Sequence, residues 1–251
     1  MKKNVVIIIL LIMLLGLGGY TAYDEFLREK PIKQKNSEKV NVSEEEYLET
    51  TDPLVLDAMN KINSALGYYC GTEKEYMKNT KVTVQNITNE LAYATVMAKL
   101  TSDTNTSIPA TQVDKAIAET FGKNYQFEHK TYNSCPAYTY DATTGYYNFA
   151  GAECGGTCGP STEQKIVKAR KTDKTLEIYE RIIFANIDMT EGDKVAYCKD
   201  VDLQQIVGYL SSSDIQYNQE EVQRIVSKGS LYKITFNLED GTYVFASSEL
   251  Q

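Results

Sequence analysis

The sequence predicts an α+β fold: an N-terminal transmembrane helix, then helices packed on an antiparallel, curved sheet of hairpins. Three observations carry this. Val5 to Tyr23 is an uncharged, mostly aliphatic run. Between residues 43 and 122 apolar side chains recur largely at helical spacing. From 123 to 251 they mostly alternate between turn-forming stretches. Helices first and hairpins after them is the order of an α+β domain, not of alternating β-α units.

The anchor is the first element. Met1 to Asn4 carries Lys2 and Lys3, and the apolar run ends at Asp24 and Glu25. A helix rising about 1.5 Å per residue needs roughly 20 residues to cross about 30 Å of hydrocarbon, so residues 5–23 suffice. Lys2 and Lys3 keep the N-terminus cytoplasmic (residues 1–4) and place the remainder outside; Tyr20 and Tyr23 fall at the interfacial belt. The expected localisation is therefore the cell membrane, single-pass, with an extracellular C-terminal domain. Three readings compete with an uncleaved anchor. Cleavage after export has only Gly19-x-Thr21 as a small-residue signal. A lipoprotein needs a Cys straight after the run, and the first is Cys70. A buried core helix would need a large protein around it.

Residues 24–42 carry both charge signs, include Pro31 and lack apolar periodicity, which predicts a tether. The domain then spans 43–251. Ser43-Glu44-Glu45-Glu46 has the pattern of a helix capping box. Asp52-Pro53 starts a helix to about Tyr68, with Leu56, Met59, Ile62 and Leu66 on one face. Lys81 to Gln85 suits a short strand. Thr88 caps a helix to about Leu100, residues 101–109 read as a turn, and Thr111 caps a helix closed by Gly122.

Hairpins follow. Residues 137–140 and 146–150 flank a loop ending in Gly145. Residues 164–170 and 175–187 flank 171–174, and residues 231–237 and 242–247 flank 238–241. Leu176 to Phe184 alternates and then turns continuously apolar, as in a central strand buried on both faces near one end. Val195 to Cys198 is a strand. Asp202–Leu210 and Gln219–Lys228 read as short helices, the second capped by Asn218 with Glu221. The curved-sheet cones of cystatin-like and nuclear-transport-factor-like domains are an analogy of topology only, with no residue signature behind it.

Composition limits the function classes. The 42% hydrophobic and 24% charged content is globular. A net charge of −8 without a basic stripe argues against nucleic acid. The Lys, Asn, Ile and Tyr bias resembles that of low-GC bacterial genomes, an association rather than a physical argument; with the anchor, the expected setting is a bacterial cell envelope.

Outside the cytoplasm thiols tend to pair. Counting outward from the hairpin centre near Thr143 brings Cys135 beside Cys154; that bridge would close about 20 residues and stabilise by roughly 3 kcal/mol. Cys70 and Cys198 are the second candidate pair, leaving Cys158 as a candidate reactive thiol. Cys154-Gly-Gly-Thr-Cys158 fits neither zinc spacing nor the C-x-x-C of redox pairs, so a structural loop is preferred. His129 is the only His and lies between Glu128 and Lys130, which reads as a surface residue. Ser230-Leu-Tyr-Lys233 matches S-x-x-K but opens a strand, where the two side chains face opposite sides. Glu220-Glu221 and Glu239-Asp240 read as capping and solvation. Tyr138, Tyr140, Tyr146 and Tyr147 offer a candidate binding surface, against the plainer reading of cross-strand packing.

No residue set assigns catalysis, a metal or a cofactor. The sequence therefore leans toward a non-enzymatic binding domain whose partners are the bilayer, through 5–23, and an envelope protein or wall polymer. The alternative is an anchored enzyme using a Cys of the 154–158 loop.

Overall fold

The computed structural model describes residues 45–63, 75–78, 80–100, 106–132, 137–151 and 162–251. The expected anchor and tether lie outside them, as do Cys70, Cys135, Cys154 and Cys158. Among the described residues no helix is long and apolar enough to cross a membrane. The strands are β1 Glu46–Leu48, β2 Val82–Thr83, β3 Ser107–Pro109, β4 Ala137–Asp141, β5 Tyr146–Gly151 and β6 Thr162–Lys171. They continue with β7 Thr175–Glu191, β8 Lys194–Cys198, β9 Ile206–Leu210, β10 Ser230–Glu239 and β11 Thr242–Leu250. The helices are α1 Pro53–Asn63, α2 Asn89–Leu100, α3 Ala110–Phe121, α4 Ser212–Tyr217 and α5 Gln219–Val226. This is an α+β fold with antiparallel sheets and a few helices.

The main sheet runs β1-β6-β7-β10-β11-β2, with β8 and β9 continuing from the far half of β7. β7 is its centre, and its sequence explains why. Leu176, Ile178, Ile182 and Phe184 face one core, which α1, α2 and α3 cover. Ile183 and Ala185 face a second core on the opposite side, with Val222, Ile225 and Val226 of α5. The stretch 182–185 is therefore buried on both faces, as its unbroken apolar sequence requires.

Local chemistry sets the helix starts. The Asp52 carboxylate accepts the Leu54 N–H at 2.8 Å and its carbonyl accepts the Leu56 N–H, so Asp52 is the N-cap of α1. Thr88 Oγ1 accepts from Leu91 N–H at 3.2 Å at α2, and Asn218 Oδ1 accepts from Glu221 N–H at 3.3 Å at α5. Gly122 ends α3 at φ +89°, a left-handed conformation that favours glycine.

Several expectations are corrected. Residues 46–48 form a strand, not a helix start: Glu46 and Glu45 reach Lys171 and Arg170 across the edge, at 3.3 and 3.0 Å. The face of α1 is rotated, with Val55, Ala58, Met59 and Ile62 buried and Leu56 exposed. Thr111 does not cap α3; Pro109 stands at the N-cap and the Ala110 N–H donates to Gly145 O at 2.8 Å. Part of the expected 101–109 turn is β3, which pairs with β5. The first hairpin does not join the main sheet but makes a second, three-stranded one, β3-β5-β4. Finally, 202–210 is no helix. The Asp200 carboxylate accepts the N–H groups of Gln204 and Gln205 at 2.9 and 2.6 Å, which turns the chain into β9.

Candidate functional site

His129 lies where α3 meets the small sheet. Its Nε2 is 2.9 Å from Asp114 Oδ1 on α3, and its Nδ1 is 3.0 Å from the Tyr147 hydroxyl on β5. A carboxylate only accepts, so in the neutral ring Nε2 carries the proton and Nδ1 accepts from the Tyr147 O–H. The ring stacks on Tyr140 at 5.3 Å and meets Phe127 edge-on at 5.2 Å. Tyr147 is fully buried and packs on Tyr93. Burial, reinforced by the neighbouring phenols Tyr93, Tyr132 and Tyr140, raises its pKa well above that of a free phenol.

His129 is half-buried rather than solvent-facing, and it joins α3 to the small sheet as a clamp. The one lone pair of the neutral ring, on Nδ1, faces the fully buried Tyr147 hydroxyl, whose ionisation burial disfavours, and not an open site. Removing the Tyr147 hydroxyl should expose the cost of the clamp. Tyr147→Phe keeps the ring packing but strands Nδ1, and we expect a loss of about 1–2 kcal/mol in urea denaturation. An unchanged midpoint would mean that the hydrogen bond contributes nothing.

Beside the clamp runs a groove of about 340 Å³, lined by Asp114, Ile117 and Ala118 of α3 and by 122–123 and 125–127 of the following chain. The Tyr125 hydroxyl donates to Ile87 O at 2.9 Å, and burial pushes its own ionisation up to about 12. At one end Lys123 pairs with Asp240 at 2.6 Å. Its lining mixes polar groups (Asp114, Lys123, Gln126) with apolar ones (Ile117, Ala118, Phe127), and it is an open surface groove rather than an enclosed apolar pocket.

The residues singled out in the sequence scatter. Tyr138 and Tyr147 are buried, Tyr140 is half-buried on His129, and Tyr146 is exposed. The tyrosine band is therefore in part core packing. Ser230 shares the inner-core face of the sheet with its partner Ile182, and Lys233 lies on the other. Glu221 pairs with Arg224 on α5, and Asp240 pairs with Lys123. Cys198, the expected partner of Cys70, carries a free and fully buried thiol on β8. No group of three His, Cys, Asp or Glu able to hold a metal occurs among the described residues. Against known proteins, the chain matches no family model, no curated protein and no solved structure.

One residue was overlooked. Glu180 on β7 is 1% exposed, and its Oε2 has no hydrogen-bond partner among the described residues. It stands in phase with Ile178 and Ile182 on the inner face, which the alternation of the sequence already indicated.

Proposed function

We propose that the chain is a single-pass, membrane-anchored binding protein of the bacterial cell envelope. In this reading residues 5–23 hold the bilayer, 24–42 form the tether, and the domain faces outward as a cone-like cover of helices on a curved sheet. Its non-enzymatic character rests on one observation above the others: the only imidazole in the chain spends both nitrogens inside the fold. The groove along α3 is then the contact site for an envelope protein or wall polymer. No cofactor and no nucleic acid enter this reading, and a Cys135–Cys154 bridge belongs to it.

The test is fractionation of the full-length chain in a bacterial host. The protein should stay in the membrane pellet after a carbonate wash, and protease added to spheroplasts should remove the domain. A mature chain beginning near Ala22, extraction by carbonate, or a protected domain would each sink the anchored reading. Thiol alkylation addresses the rest. A single cysteine that labels fast at neutral pH points instead to an enzyme.

A further inference from the structure

The inner face of the main sheet changes character along β7. At Leu176 and Ile178 it is filled by Phe236, Phe245 and Ile234. Two residues on, Glu180 stands between its cross-strand partners Ile166 on β6 and Tyr232 on β10. The next row holds Gln164, Ile182 and Ser230, where β10 begins; beyond it β7 pairs with β8 at Phe184–Cys198. Glu180 is therefore one row from a seam where the strand beside β7 changes.

The groups around it are few. On β6 the facing side chain is Ile166. On β10 the Tyr232 hydroxyl donates to Met77 O at 2.9 Å, and its ionisation is raised to about 12, chiefly by burial and further by Asp200 and Asp202. Arg181 pairs with Lys165 across the ladder, on the opposite face, and gives its guanidinium to Gly229 O at 2.7 Å. Among the described residues no cation offsets the Glu180 carboxylate, and burial is what raises it.

We propose that Glu180 makes this end of the sheet a proton-controlled gate, closed while its carboxyl holds a proton and opened to water between β7 and the start of β10 when it ionises. The direction follows from linkage. The closed state holds the carboxyl up at about 8, against 4.5 for a solvated one. Between those values the open state releases a proton that the closed state keeps, so opening gains about tenfold per pH unit, and it levels off above the upper value. The gate needs no ligand and does not depend on the binding reading.

Hydrogen exchange with mass spectrometry on the full chain in nanodiscs tests it, at pH 5.5 and 7.5 with intrinsic rates divided out. In the unsubstituted protein, peptides covering 176–184 and 228–234 should lose about a hundredfold in protection between the two pH values. They should also exchange faster than the buried stretch 91–97 of α2. In E180Q their protection should be the same at both. The gate is refuted by equal protection at both pH values in the unsubstituted protein, by an equal fall in E180Q, or by exchange no faster than that of α2. E180M supplies the same comparison should E180Q fail to fold.

Discussion

Replacing Gly229 by alanine should cost the domain about 3 kcal/mol, at the upper end of what overpacking usually does. The residue needs no unusual φ; what it needs is room. A Cβ there would lie 2.3 Å from Ile182 O and 2.9 Å from Ile182 C, both backbone atoms of β7, and 2.8 Å from Ile183 Cγ2. β7 is held on both sides in the main sheet and packed on both faces at that point, so room for the Cβ comes only from parting β7 and the start of β10. Gly208→Ala is the instructive contrast. Its Cβ would meet Ile225 Cδ1 at 2.3 Å, the far end of a side chain rather than backbone. Rotation of Ile225 within the second core relieves that clash for about 1–2 kcal/mol. For a domain of this size the two changes correspond to melting points lower by roughly 6–12 °C and 2–8 °C. A Gly229→Ala protein that melts within a degree of the unsubstituted one would show that the β7–β10 contact is looser than these distances say.

Legibility in the sequence followed the locality of the cause. Where one side chain decides, the reading mostly held: Asp52 and Asn218 cap as their positions suggest, Gly122 closes α3, and the Leu176–Phe184 pattern places β7 at the centre; Thr111 is the exception, since Pro109 takes the N-cap of α3. Long-range partners were illegible. The acidic run at 43–46 looks the same whether it caps a helix or pairs with Arg170 and Lys171, which lie 125 residues away. The 202–210 segment has apolar residues at both helical and strand spacing, and the Asp200 carboxylate, a local cap that starts no helix, settles the matter. The candidate site divides the same way. Nothing near His129 announces Asp114 or Tyr147, which reach it from 15 and 18 residues away. Glu180 was readable, since it interrupts an otherwise apolar face of an alternating strand.

Phe245→Ala should be the most damaging of the side-chain truncations, by about 4 kcal/mol. Phe245 is 1% exposed and its ring meets three others edge-on: Tyr76 at 5.3 Å, Phe236 at 6.3 Å and Phe121 at 6.4 Å. A register shift in the β10–β11 ladder sets this up. Thr235 opposes Ser247, but Phe236 opposes Phe245, so one residue of β11 is skipped and Phe245 turns inward beside Phe236. The cluster ties three parts of the chain that are remote in sequence, and Phe121 is the last residue of α3. Loss of the Phe245 ring therefore leaves a cavity under the end of the helix that carries Asp114 and one wall of the groove. Amide exchange in 113–121 should rise in Phe245→Ala by more than in the β8–β9 hairpin, whose Tyr197 and Leu210 belong to the second core. Phe245→Leu, which refills most of the volume, should recover more than half of the stability. If both variants lost the same amount, the edge-on contacts rather than the buried volume would be what holds α3 against the sheet.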